Sequence, residues 1–275
     1  MKLVTPEERL EQKSGVKAVI AGRPGVGKTT LLLGLDPKKT VFVDLEAGDL
    51  SVKSYKGATI QPNSWNDCKN VAVLAGGPNP AIISKDPSKP KAYSQEHYDM
   101  CVKHFPDQHK VLQECDTIFI DSITVAARLA LMHARQLPEN FTKTGAIDSR
   151  GAYGSMGQEM MQWLIFFQHI RLKNVIFCCI LEEGQDEMGR VEYKLQMEGK
   201  KSAQELPGIV DQVIIYDYVN SEDKDGNMIP TRTFICKPEG HIFAKSRAEG
   251  VSVYESPDLN ALLNKLSNNQ ITGEK

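Results

Sequence analysis

The residues with the plainest chemical content are Gly22-Arg23-Pro24-Gly25-Val26-Gly27-Lys28-Thr29, followed by Thr30. Their spacing, G-x-x-x-x-G-K-T, suits a backbone that folds around phosphates, because glycines let the N–H groups turn inward. In such a loop the Lys28 ammonium reaches the β- and γ-phosphates of ATP, and the Thr29 hydroxyl reaches its Mg²⁺. Gly22 through Thr30 are therefore the candidate nucleotide-binding residues. A second group is Thr117–Asp121 (TIFID), a mainly apolar run that delivers a carboxylate to the end of a strand. Open α/β sheets bind ligands at that end, so Asp121 is expected to share the Mg²⁺ with Thr29. A helix cap is the other reading of a carboxylate there. Ser122 and no second acid follows Asp121, so a base that activates water must come from elsewhere. Val43-Asp44-Leu45-Glu46 is the source, and Glu46, nearer the phosphate end, is the candidate base.

Elements that could position these groups are legible. Val16–Ala21 and Thr40–Asp44 read as buried strands, with a helix over Lys28–Leu35 between them. Ser64-Trp65-Asn66-Asp67 has the form of a capping box opening a helix to about Leu74. Ala75–Lys91 is rich in Gly, Pro and Lys and reads as a surface loop, after which Ser94 caps a helix to about Phe105. Thr117–Asp121 is a third strand, with a helix over Ser122–Gln136. Pro138–Tyr153 reads as a mobile loop, Gly154–Leu172 as a long helix and Asn174–Leu181 as a fourth strand. Glu182–Lys201 is polar and turn-rich. Gln212–Tyr218 reads as a strand, and Asp225-Gly226 as a hairpin turn into Thr231–Lys237. Asp258–Leu266 closes as a short helix before a frayed tail at 267–275. Strands alternating with helices predict an α/β fold whose mainly parallel sheet is flanked by helices and extended by a C-terminal antiparallel hairpin. A single domain over 1–275 is expected, its core at about 16–255 with an insertion at about 76–110.

Bulk properties narrow the classes. With 275 residues, a net charge of −2, 25% charged and 41% apolar residues, the chain has the composition of a water-soluble globular protein. That balance argues against coating nucleic acid by bulk charge, and leaves local basic loops open. No apolar run approaches a membrane span, and Pro6, Glu7 and Glu8 stand where a signal peptide needs an apolar stretch, so a cytoplasmic location is expected. The six cysteines fit no Cys-x-x-Cys spacing, and Cys178 and Cys179 are expected on opposite faces of a strand. His97, Cys101 and His104 could share a helix face compatible with zinc; a mixed helix with half-buried cysteines is the plainer reading.

Taken together, the motifs resemble the RecA superfamily of ATPases: GRPGVGKTT as its Walker A loop, VDLEAGD as the strand with the catalytic glutamate, and IFIDSIT as its Asp-Ser Walker B. Phe243-Ala244-Lys245-Ser246-Arg247 is similar to the Lys-x-Arg element of DnaB-type helicases and KaiC-type ATPases, and the overall likeness is to short phage-encoded RecA-core and single-strand-annealing recombinase proteins. The resemblance implies ATP hydrolysis with Mg²⁺ in a homo-oligomer, ring or filament. It makes Lys28, Glu46, Lys245 and Arg247 the candidate catalytic residues, the last two reaching a neighbouring subunit's γ-phosphate. It also implies two DNA-facing loops, here Pro138–Tyr153 with Lys143, Arg150 and Tyr153, and Glu182–Lys201 with Arg190, Lys194, Lys200 and Lys201. Single-stranded DNA, and a single-strand DNA-binding protein, are the partners so implied. The chain departs from the pattern at Cys179-Ile180-Leu181-Glu182, where a polar γ-phosphate sensor is common. A KaiC-like regulatory ATPase binding proteins and no DNA remains an alternative; a P-loop kinase ranks last because no arginine-rich lid is visible.

Overall fold

In the computed structural model, the described residues are 5, 7–8, 14–84, 86, 90–185, 188–222, 226–240 and 242–269. Asp186, Glu187, Asp225 and the tail from 270 lie outside them. Ten strands form one sheet in the order β10-β8-β7-β1-β5-β4-β2-β3, with β6 on β5 and β9 on β7. They are β1 Lys17–Gly22, β2 Thr40–Asp44, β3 Ala58–Ile60, β4 Thr117–Asp121, β5 Asn174–Gln185, β6 Val191–Gln196, β7 Gln212–Glu222, β8 Met228–Ile235, β9 Lys245–Ser246 and β10 Tyr254–Glu255. From β7 to β3 every pairing is parallel, so the strands end together on one edge of the sheet. The pairings β5–β6, β7–β8, β7–β9 and β8–β10 are antiparallel. This is the expected mainly parallel α/β fold with a late antiparallel hairpin. The strand order places β5 between β1 and β4.

Alternation along the buried strands builds two cores. Val19, Ala21, Val43, Ile120 and Phe177 face helices α1 Trp65–Gly76, α2 Gln95–His104, α3 Pro106–Glu114, α4 Ile123–Ala134, α5 Ser149–Gln168 and α6 Lys200–Ile209. Val16, Ala18, Ile20, Phe42, Phe119 and Ile176 face the other way, onto Leu31, Leu32 and the apolar side of α7 Leu259–Asn269. Cys178 and Cys179 fall in different cores, on opposite faces as expected. All six thiols are free and buried.

Several expected boundaries shift, each for a local reason. The helix expected over Lys28–Leu35 is a short 3-10 helix, Thr29–Gly34; Gly34 and the Asp36-Pro37 pair stop it. Pro138–Tyr153 holds a 3-10 turn at Pro138–Asn140 and a Phe141–Ile147 bridge. Helix α5 then starts at Ser149, because the Asp148 carboxylate accepts from the N–H groups of Arg150 and Gly151 at 3.0 and 3.1 Å. Glu182–Lys201 contains a β-hairpin, since Val191, Tyr193 and Leu195 alternate with polar residues along β6. Pro106 opens α3 at its first turn, a helix absent from the sequence reading. His97 accepts from the Tyr93 N–H through Nδ1 at 3.0 Å, which leaves Nε2–H to donate to Asn70 Oδ1 at 2.9 Å. Burial pushes its pKa down to about 4. His97 is thus a neutral packing residue with both nitrogens used, and His104 turns back to the Met100 carbonyl.

Candidate active site

Strand β1 delivers Gly22 to the carboxyl edge of the sheet, and the chain reverses at Gly25 and Gly27 with φ of +79° and +102°. Both values lie where side chains are disfavoured. Gly22 is required sterically as well: a Cβ there would stand 2.4 Å from the Tyr216 carbonyl oxygen. Lys28 folds across the loop, its ammonium donating to the carbonyls of Gly22 at 2.9 Å and Arg23 at 3.1 Å. Arg23 turns outward. Its guanidinium meets Glu183 at 3.1 Å, Tyr193 Oη at 3.3 Å and Asp217 at 3.4 Å, so it ties the loop to β5, β6 and β7.

The carboxylates come from the neighbouring strands. Pairing of β2 with β4 sets Asp44 beside Asp121. The Asp121 Oδ2 atom accepts from Thr29 Oγ1 at 2.5 Å, while the buried Oδ1 has no hydrogen-bond partner among the described residues. Burial raises this carboxyl to about pKa 6, against the pull of the Thr29 hydrogen bond. A buried oxygen without a partner, beside a hydroxyl and a phosphate-sized loop, is the hard donor set that Mg²⁺ accepts. The groups converge on Gly48, where a Cβ would lie 3.2 Å from Thr29 Cγ2, 3.6 Å from Asp44 Oδ1 and 3.8 Å from Asp121 Oδ2. Asp121 is not the helix cap: the Ser122 side chain caps α4 by accepting from the Val125 N–H.

Glu46 stands just beyond β2, exposed, with the Ser122 hydroxyl donating to its Oε1. Asp44 serves the loop instead. Its carboxylate accepts from the N–H groups of Glu46 (3.2 Å), Gly48 (2.8 Å) and Asp49 (3.2 Å), and from the Gln61 amide. One acid therefore shapes the turn and the other is presented by it.

Lys245 and Arg247 lie elsewhere. Strand β9 pairs with the first residues of β7, at the sheet edge opposite the glycine loop. Lys245 donates to the carbonyls of Pro207 and Val210, and Arg247 to Asp211 at 3.0 Å and the Gly208 carbonyl at 2.9 Å. A finger role would require both to exchange these partners for a neighbour's phosphate. The seven DNA candidates, Lys143, Arg150, Tyr153, Arg190, Lys194, Lys200 and Lys201, are all exposed. Tyr153 Oη donates to Glu198 at 3.4 Å, which brings the two regions together. Acids accompany the bases, with Lys194 on Glu192 at 2.7 Å and Lys201 near Glu205 at 3.6 Å.

Three contributors escaped the sequence reading. Gly48 lies two residues beyond Glu46 and Ser122 directly follows Asp121, and the Asp-Ser step opening a helix was the available signal for Ser122. Arg232 had none. It reaches the glycine loop from β8, where its Nη1 would stand 3.2 Å from a Cβ on Gly27.

Among solved structures, the chain is similar to the flagellar accessory protein FlaH from Methanocaldococcus jannaschii (9% identity, 84% of this chain and 82% of that one, TM-score 0.33). It is similar to the assembled ATPase EscN of the enteropathogenic E. coli type III secretion system (14% identity, 74% of this chain and 43% of that one, TM-score 0.33). It is also similar to the P4 protein from bacteriophage phi13 (8% identity, 82% of this chain and 57% of that one, TM-score 0.28). No curated protein matches the chain. A family model described as an AAA domain matches residues 14–248, which include the glycine loop, Glu46, Asp121 and Arg232. The chain therefore belongs to this AAA-domain family, and is a P-loop NTPase.

Proposed function

We propose that this chain binds and hydrolyses ATP with Mg²⁺, and works as a homo-oligomer on single-stranded DNA in recombination or annealing. The observation that carries the catalytic part is the buried, partnerless Asp121 oxygen beside Thr29, under a glycine loop whose lysine faces inward. Mg²⁺ held by Thr29 and Asp121 would neutralise charge on the β- and γ-phosphate oxygens. Lys28 exchanges the Gly22 and Arg23 carbonyls for phosphate oxygens. Asp44 fixes the turn on which Glu46 is carried, and Ser122 orients the Glu46 carboxylate so that its free oxygen can take a proton from attacking water. Lys245 and Arg247 remain candidates for action across a subunit boundary.

Support for the DNA part is the exposed basic set with Tyr153, in which backbone neutralisation and base stacking can combine. A single-strand DNA-binding protein is a fitting partner for such a reaction. The ion pairs from Lys194 and Lys201 to nearby acids favour a second reading, a regulatory ATPase whose oligomer binds protein partners. Titration with single-stranded DNA, in ATP and Mg²⁺, separates them. Binding that weakens with salt and accelerates hydrolysis is expected of the first; no binding and an unchanged rate would refute it.

A further inference from the structure

The β7–β8 hairpin carries an arginine toward the nucleotide loop that the chemistry described so far does not use. Tyr218 and Arg232 are directly opposite one another in the antiparallel register. The Arg232 Nε donates to Tyr218 Oη at 3.1 Å, and the guanidinium carbon is 5.6 Å from the Tyr218 ring centre. Beyond that anchor the guanidinium reaches the glycine loop itself. A Cβ on Gly27 would meet Arg232 Nη1 at 3.2 Å and Cζ at 3.5 Å, with Thr30 Oγ1 at 2.9 Å. Thr30 in turn donates to the Gly27 carbonyl at 2.7 Å.

Sheet order decides which end of a triphosphate lies here. Strand β1 leads into the loop; β5, β4 and β2 lie on one side of it, with Asp121 and Glu46, and β7 and β8 lie on the other. A nucleotide whose γ-phosphate end is fixed at Thr29 and Asp121 runs across the loop toward β7 and β8, so its nucleoside end meets Arg232. Charge agrees. Arg23 is neutralised by Glu183 and Asp217, whereas among the described residues no carboxylate forms an ion pair with Arg232. We infer that Arg232 is a nucleotide-binding residue acting within its own subunit: Tyr218 holds its guanidinium over Gly27, where it takes the phosphate at the nucleoside end.

This inference rests on the P-loop reading, and the experiment keeps the two apart. Binding of ATP, ADP and inorganic tripolyphosphate with Mg²⁺ is measured by calorimetry on the full chain and on Lys28→Ala, Arg232→Ala and Arg232→Lys. Arg232→Ala is expected to weaken all three ligands by about tenfold, as loss of one charge-assisted phosphate contact does, and Arg232→Lys to recover part of it. Unchanged affinity in both Arg232 variants, with binding lost in Lys28→Ala, overturns the role of Arg232 and leaves the loop standing. Undiminished binding in Lys28→Ala refutes the loop reading itself. A loss confined to ATP and ADP, with tripolyphosphate unaffected, would assign the contact to the base and contradict the phosphate role. Restored hydrolysis on mixing Arg232→Ala with Lys28→Ala would show action on a neighbour's nucleotide and overturn the assignment within one subunit.

Discussion

Asp121 is the residue on which burial and chemistry meet. In the fold it keeps its proton up to about pH 6, against 3.8 when unperturbed. The folded state thus binds more protons than the unfolded chain between these values, and the metal-free fold loses stability as pH rises through that window. Asp121→Asn removes this cost, so the metal-free variant is expected to be more stable than the parent at pH 7, on the order of 2 kcal/mol. Thermal unfolding at pH 5 and 7.5, with chelator or with Mg²⁺, checks it. Mg²⁺ should stabilise only the parent, and more at the higher pH; equal protection of the variant would remove Asp121 from the metal site. Glu46→Gln separates binding from turnover. The amide keeps the Ser122 contact but cannot take a proton, so ATP affinity should hold while hydrolysis falls by at least about 100-fold. An active variant would exclude Glu46 as the base. Lys28, Glu46 and Asp121 could be singled out as candidates because local type and spacing mark them. The division of labour between Asp44 and Glu46 was not, since it depends on which backbone N–H groups the turn after β2 aims at Asp44.

At the level of elements, the site stands on strands locked from both faces. Helix α5 shows how. Trp163 packs against Trp65, Phe167 and Phe177, and its indole N–H donates to the Cys68 carbonyl at 3.0 Å. Trp163→Ala should cost about 3–5 kcal/mol in urea unfolding, with the glycine loop still competent to bind ATP in the folded fraction. A loss below about 1 kcal/mol would contradict this packing. Buried runs such as VKAVIA and TIFID were readable as strands because apolar residues dominate them. The start of α5 was obscured by Gly151, Gly154 and Gly157, and β6 by the charged residues that alternate with its apolar ones. In both cases contact with the rest of the fold outweighs local propensity.

For the whole molecule, topology determines which distant residues become neighbours. Parallel pairing sends the glycine loop, Asp44 and Asp121 to one edge, an arrangement that follows from alternating strands and helices and was foreseeable. The same topology leads Lys245 and Arg247 to the opposite edge, where they hold carbonyls at the end of α6 and Asp211. It also lays Arg232 against Gly27, across most of the chain length. Neither placement has a local signature, because each is set by which strand β7 pairs with and in what register. The central claim is that this arrangement makes a Mg²⁺-dependent ATPase. Its most direct measurement is phosphate release from ATP by the purified chain and by Lys28→Ala, each with Mg²⁺ and with chelator. Release by the parent in Mg²⁺ alone, lost in the variant, is the predicted result; Mg²⁺-independent release, or equal rates in the two proteins, would contradict it.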